Sequence, residues 1–186
     1  MRVAKSGSIV AIALVTVAAI ALCGWTAANW SRLRPYHWQH VESPDAAFSV
    51  SFPGTPIASR QDETDAIDGS EFVSNRLAVS PAPRIAYMVS WWDSQRERNK
   101  STEELFVHFR DCNAKVFRGK VSTRELTVQG NPATDMAVVN TEGTVVYNRV
   151  IRAGPRFYSL WVINASGRFV ADKKNARKFF DSFSLH

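Results

Sequence analysis

Few side chains of this sequence could serve as metal ligands or nucleophiles: it has four histidines and two cysteines in 186 residues. A zinc site needs several His, Cys or carboxylate groups converging on one point. His37 and His40 form the close histidine pair. On a strand their odd separation sends them to opposite faces, and only a helical turn would let them meet. They read as juxtamembrane polar residues rather than ligands. His108 lies within a helical pattern, about 60° off its apolar stripe. A general base there needs a nucleophile, and no Gly-x-Ser-x-Gly elbow exists to present one. His108 therefore reads as a satisfied histidine at the edge of a core. Cys112 sits in the apolar stripe itself, where burial raises a thiol's pKa and leaves it inert.

Other chemistry is thin. Phosphate cradles need closely spaced glycines, and the nine glycines here are scattered. Asp62, Glu63, Asp65, Asp68 and Glu71 form an acidic stretch, but Asp65-Ala66-Ile67-Asp68-Gly69 lacks the alternating ligands of a calcium loop. It reads as a solvated loop. Neither a catalytic residue, a metal ligand nor a cofactor-binding residue is assigned. Asn99-Lys100-Ser101 and Asn164-Ala165-Ser166 match the glycosylation sequon. The candidate surface-binding residues are Trp91, Trp92, Lys173, Lys174, Arg177 and Lys178. Trp91 and Trp92 are adjacent, so a strand points them to opposite faces. If both faces are covered, both rings are core; an open face makes one of them a binding anchor. The four cations share one side of a helix and suit an anionic headgroup or simple solvation.

These residues need elements to hold them. Phe48-Ser49-Val50-Ser51-Phe52 alternates as a half-buried strand does, and Pro53-Gly54-Thr55-Pro56 stops it. Ser59 to Ser70 is a loop or exposed hairpin. Glu71–Val79 and Arg84–Trp92 read as strands, followed by a charged loop to Lys100. Ser101-Thr102-Glu103-Glu104 is a capping box. Leu105, Phe109, Cys112 and Val116 then share one helical stripe, widened by Phe106 and Phe117. Gly119 suits the helix stop. Val121–Val128, Ala133–Asn140, Thr144–Arg152 and Arg156–Asn164 follow as an antiparallel meander, given their short separators. A second helix runs from about Arg168 to Phe183, with Phe169, Ala176, Phe179, Phe180 and Phe183 on one face. The fold class is α+β: an antiparallel sheet of six to seven strands covered by two amphipathic helices, plus one N-terminal transmembrane helix.

That last element comes from the leader. Arg2 and Lys5 are followed by Ile9 to Trp30 without a charge, long enough as a helix to cross a hydrocarbon core of ~30 Å. Trp25 and Trp30 fit the membrane interface. The expected organisation is a basic cytoplasmic head (1–8), a signal anchor (9–30), a stalk (31–40) and one domain (41–186) outside the cytoplasm. The alternative is a cleaved signal peptide ending near Thr26-Ala27-Ala28, leaving a secreted or periplasmic protein. The net charge of +6 falls by two without the leader, a modest excess that does not call for nucleic acid. Two cysteines exclude a disulfide-stapled miniprotein.

Phe48-Ser49-Val50-Ser51-Phe52-Pro53-Gly54-Thr55-Pro56 resembles the opening strand and turn of the PsbP-like (Mog-like) α/β/α sandwich group. Gly154-Pro155-Arg156-Phe157-Tyr158-Ser159-Leu160 resembles its strand after a Gly-containing hairpin. Phe179-Phe180-Asp181-Ser182-Phe183-Ser184-Leu185 resembles its closing helix end. The likeness covers roughly Val41 to Leu185. The group includes a photosystem accessory subunit, a Ran-binding import factor and many membrane-attached proteins. The resemblance implies a scaffold that binds partners without catalysis, and no functional residue is carried over from it.

The sequence thus predicts a membrane-anchored accessory domain, not an enzyme, acting beside another envelope protein, with the bilayer itself as a partner through residues 9–30. The alternative is a lipid or small-hydrophobe binding domain with a pocket between sheet and helix, lined by residues such as Phe106, Phe109 and Trp161. A hydrolase-type enzyme is the third reading. A large apolar cavity favours the second, and a bare aromatic surface patch the first.

Overall fold

The computed structural model describes residues 36–94, 100–165 and 173–186, and His37–His186 forms one compact unit. The expected signal anchor, with Trp25 and Trp30, lies outside the described residues. So do parts of the charged loop and the beginning of the second helix. Among the described residues no helix is long and apolar enough to cross a membrane.

Seven antiparallel strands form the central sheet, in the order β3(Ile57–Thr64)-β4(Glu71–Ala82)-β5(Ile85–Asp93)-β9(Arg156–Asn164)-β8(Val145–Ala153)-β7(Asn131–Asn140)-β6(Gly119–Val128). Two hairpin ladders, β3–β5 and β6–β9, meet where β5 pairs with β9. Three Val and one Ile are spread along β8, and aromatic and branched residues fill β9. Such residues suit a pleated strand covered on both sides. The β6–β7 hairpin turns at Gln129-Gly130, both at positive φ, the backbone that a two-residue turn needs to match strand twist. β3 is an edge strand, almost wholly exposed. Its Arg60, Asp62 and Glu63 oppose further strand addition.

Each face of this sheet has its own cover. The first helix, α1(Thr102–Phe117), lies on one face. Ser101 caps it: its hydroxyl accepts from the Glu104 amide, and the Glu104 carboxylate accepts from the Ser101 amide. Leu105 and Phe106 are buried against Met136, Val150 and Phe157, with Trp92, Phe109 and Val121 beside them. Over the other face lies a small sheet, β1(Gln39–Ser43)-β2(Phe48–Phe52)-β10(Ser184–Leu185), with the second helix α2(Lys173–Asp181). Here Phe48 meets Trp91, Tyr158 and Phe183 at ring-centroid distances of 5.3, 5.8 and 5.4 Å. Phe179 meets Phe52 and Tyr87 at 5.3 and 5.4 Å. Burying each of these rings contributes on the order of 2–3 kcal/mol.

The structure modifies several sequence expectations. The expected strand Phe48–Phe52 leaves the central sheet for a small one, because short β1 and β10 pair with it. Ile57–Thr64, much of it read as loop or exposed hairpin, takes the seventh place in the central sheet by pairing with β4. Gln39 and His40, placed in the stalk, are strand residues. The helix stop is Arg118, in the left-handed region at φ 50°, while Gly119 already starts β6. There a Cβ would stand 2.7 Å from the Val139 carbonyl oxygen, so glycine serves close approach rather than helix termination. Val116, counted in the apolar stripe, is 59% exposed, and Asn113 is buried in its stead at 3%. Asn164, the first residue of one sequon, is 7% exposed within β9, which removes it as a glycan acceptor in the folded domain.

Candidate functional site

The helix α1 does not close evenly on the sheet. A cavity of about 260 Å³ remains under its C-terminal half, bounded by β4, β5, β8, β9 and the turn after β3. Strand alternation supplies its floor: Met88, Ser90 and Trp92 come from β5 and Ser159, Trp161 and Ile163 from β9, with Met88 opposite Trp161 and Ser90 opposite Ser159. Phe72, Phe109, Val116 and Phe117 contribute to its walls. Trp92 stacks on Phe157 and meets Phe109 at 6.0 Å; Phe117 meets Trp161 at 5.9 Å.

Polar groups punctuate this apolar lining. Asn148 donates to the Ser159 hydroxyl at 2.8 Å and to the Leu160 carbonyl at 3.0 Å. Asn113 donates to the Phe109 carbonyl at 2.9 Å and to Asn148 Oδ1 at 3.3 Å. The Arg76 guanidinium reaches Glu63 at 2.7 Å. Among the described residues, Asn113 Oδ1 and Arg76 Nε are buried without a hydrogen-bond partner. Buried polar atoms are nearly always paired, so these two orphans, on α1 and on β4, stand out, and both residues line the cavity.

At the cavity's edge three donor atoms converge. The turn after β3 folds so that Asp65 Oδ1 accepts the Ile67 and Asp68 amides, at 2.8 and 3.2 Å. Asp65 Oδ2 lies 2.7 Å from His108 Nε2. Cys112 Sγ is 3.7 Å from Asp65 Oδ1 and 3.6 Å from His108 Nε2. One helical turn separates His108 from Cys112, so both face the same way. Lys115, from the same helix, donates to the Ala66 carbonyl. Burial acts to raise the Asp65 pKa, but the His108 hydrogen bond and the two amides hold it below the usual carboxylate range. Burial first, and then the Asp65 charge, push the Cys112 thiol up to about 12. These three residues are the His, Cys and carboxylate group capable of holding a metal among the described residues.

His108 is satisfied, as its place beside the stripe implied, but its partner was hidden: Asp65 is not a solvated loop residue, its side chain being 14% exposed. Asn113 and Asn148 were missed altogether. The one available signal was a polar Asn interrupting an apolar helical stripe. Of the residues expected to line a pocket, Phe109 and Trp161 do so, while Phe106 lies in the packed cluster. Trp91 and Trp92 are both half-buried on opposite faces. Lys173, Lys174, Arg177 and Lys178 are exposed on α2, and Lys178 Nζ sits 4.5 Å over the Trp38 ring.

No family model and no curated protein matches this chain. Among solved structures, the chain is similar to cyanobacterial PsbP (CyanoP) from Synechocystis sp. PCC 6803, with 12% identity and a TM-score of 0.56 over 83% of this chain and 95% of that one. A protein from Bacteroides thetaiotaomicron matches at 10% identity and TM-score 0.46, over 80% of this chain and 48% of that one. A protein of unknown function from Pseudomonas aeruginosa matches at 11% identity and TM-score 0.38, over 76% and 94%. The cyanobacterial likeness is one of architecture: the fold is PsbP-like, an antiparallel α+β sandwich.

Proposed function

We propose that this chain is a binding domain rather than a catalyst, and that the cavity under α1 takes a small, mainly apolar molecule carrying a hydrogen-bonding group. The observation that carries this reading is the mainly apolar cavity of about 260 Å³ under α1, whose lining includes Asn113, a residue with its Oδ1 buried and without a protein donor. An apolar cavity of ~150 Å³ accommodates benzene, so this one has room for a two-ring aromatic or a short chain. Trp92, Phe109 and Trp161 supply the apolar contact, and Asn113 and Arg76 fix orientation. Among the described residues, the large exposed apolar side chains are aliphatic, such as Ile57 and Val116.

The Asp65, His108 and Cys112 cluster argues against a hydrolase. A relay needs one imidazole nitrogen for the nucleophile and the other for the carboxylate. Here Nε2 faces both, and a thiol titrating near 12 is a poor nucleophile at neutral pH.

Protein isolated from its native membranes and extracted with organic solvent tests the reading by mass spectrometry. We expect one small apolar molecule with a hydroxyl or amide group, near one per chain. A protein that comes off empty and takes up no member of a panel of aromatic alcohols and short fatty amides contradicts it.

A second reading concerns place and partner: a signal-anchored domain outside the cytoplasm, doing accessory work beside an envelope protein. The solvent-facing cations Lys173, Lys174, Arg177 and Lys178 support it, because each such charge is worth up to ~1 kcal/mol near an anionic leaflet. The uncharged run Ile9 to Trp30 supports anchoring, and the PsbP-like fold fits non-catalytic accessory work by analogy. Alkaline carbonate should leave the chain in the membrane pellet; release into the supernatant would defeat the anchor.

A further inference from the structure

We infer that Asp65, His108 and Cys112 form a binding site for a zinc-class divalent cation. The donor set is one carboxylate oxygen, one imidazole nitrogen and one sulfur, the mixture that Zn²⁺ accepts and that hard Mg²⁺ and Ca²⁺ do not.

Distances argue for convergence. Around a tetrahedral zinc, bonds of ~2.0 Å to nitrogen or oxygen and ~2.3 Å to sulfur place the donors roughly 3.3–3.5 Å apart. The sulfur already stands 3.6 Å from His108 Nε2 and 3.8 Å from Asp65 Oδ2. Only the pair His108 Nε2 and Asp65 Oδ2, at hydrogen-bond distance of 2.7 Å, has to open, by roughly 0.6 Å, to admit an ion of this size.

The scaffold around the donors is already fixed. The helix spacing of His108 and Cys112 sets two of them, on a helix anchored by Leu105 and Phe106 in the core. Asp65 is oriented by the Ile67 and Asp68 amides on its other oxygen, the supporting contact that metal-binding carboxylates use. The backbone of its turn is closed by the Asp65 amide donating to the Ser70 carbonyl at 2.7 Å. On binding, Cys112 gives its thiol proton to solvent, and the neutral imidazole carries its proton on Nδ1 so that Nε2 is free to ligate. Three protein groups leave a coordination position for water, the arrangement of an open site rather than a closed structural one.

A hydrogen-bonded clamp that never binds metal is the competing account. Cobalt(II) separates the two, because sulfur ligation gives an intense near-ultraviolet charge-transfer band. The full-length chain carrying Cys23→Ser, in mild detergent, is titrated with Co²⁺ and then with Zn²⁺ in competition. We expect a saturable one-to-one rise of that band, its loss on adding zinc, and its absence in the Cys112→Ser protein. His108→Gln and Asp65→Asn should each weaken zinc binding by more than about tenfold, the scale of losing even a supporting contact around a metal ligand. Circular dichroism of each variant establishes that it is folded, and Cys112→Ser, nearly isosteric, keeps the test usable if Asp65→Asn unfolds. No sulfur-to-cobalt band in a folded protein, or zinc binding that survives Cys112→Ser and His108→Gln unchanged, overturns the inference.

Discussion

His108 Nε2 and Asp65 Oδ2 lie 2.7 Å apart across 43 residues of sequence, tying the helix that roofs the cavity to the turn that forms its edge. Breaking this tie should loosen the edge before it loosens the core. We expect Asp65→Asn in metal-free protein to lower unfolding stability by about 1–2 kcal/mol, the cost of a charge-assisted hydrogen bond in a largely buried place. Amide exchange should quicken in residues 65–70 while β8 and β9 stay protected. Equal loss of protection in both regions would contradict a local clamp.

The Cys112 thiol, raised to about 12 from an ordinary value of 9.0, should resist alkylation. The shift leaves roughly a thousandfold fewer thiolates than in the unfolded chain at pH 8. In the Cys23→Ser protein with chelator present, iodoacetamide should modify Cys112 slowly until denaturant is added. Asp65→Asn removes the neighbouring negative charge and should speed the native reaction. A native rate equal to the denatured one would contradict the burial described for this thiol.

Acid should unfold the domain partly through Asp135. Its carboxylate is bonded at 2.6 Å to Nε of Arg149 and at 2.9 Å to Arg124. Burial acts to raise its pKa, but the two guanidiniums, Arg149 foremost, hold it below the usual carboxylate range. The folded pKa is depressed, so its contribution is fully present above the unfolded value and is lost as pH falls through the folded one. Stability measured in urea should therefore decline below about pH 4, and Asp135→Asn should flatten that decline. At neutral pH the same substitution should cost about 3 kcal/mol, because it leaves the Arg149 charge, 7% exposed, poorly paired. A variant as acid-sensitive as the parent would contradict this assignment.

Gly119→Ala tests the close approach of β6 to β7. The added Cβ would stand 2.7 Å from the Val139 carbonyl oxygen and 2.8 Å from Val138 Cγ1. The strands must shift, at a cost of about 1–3 kcal/mol in chemical denaturation. An unchanged midpoint would show that β6 is free to move at this edge.

Local pattern made much of the fold legible. The capping box at Ser101 and Glu104, the alternation in Phe48–Phe52 and the separators of the last four strands each point to one structure, and each is present. Pattern does not reach the pairing of β10 with β2, because two residues such as Ser184 and Leu185 carry no periodicity of their own. The site was legible in pieces only. Asp65 reads as a loop acid and His108 as a boundary histidine until the β3–β4 turn is laid on the helix. Asn113 breaks an apolar stripe, and its partner Asn148 lies within a strand whose neighbours are all apolar or charged; their meeting is a tertiary fact.

The cavity is tested most directly by isothermal titration calorimetry with 1-naphthol, an apolar two-ring body bearing one hydroxyl donor suited to Asn113 Oδ1. The account predicts saturable one-to-one binding with a negative heat-capacity change, the mark of apolar burial. Ser90 is 4% exposed and lines the cavity floor, so Ser90→Leu should occupy the space and abolish the heat. Asn113→Leu, which removes the acceptor, should weaken binding by about tenfold or more. Binding that persists undiminished in both folded variants, or no saturable heat in the parent protein, would contradict a cavity that holds such a guest.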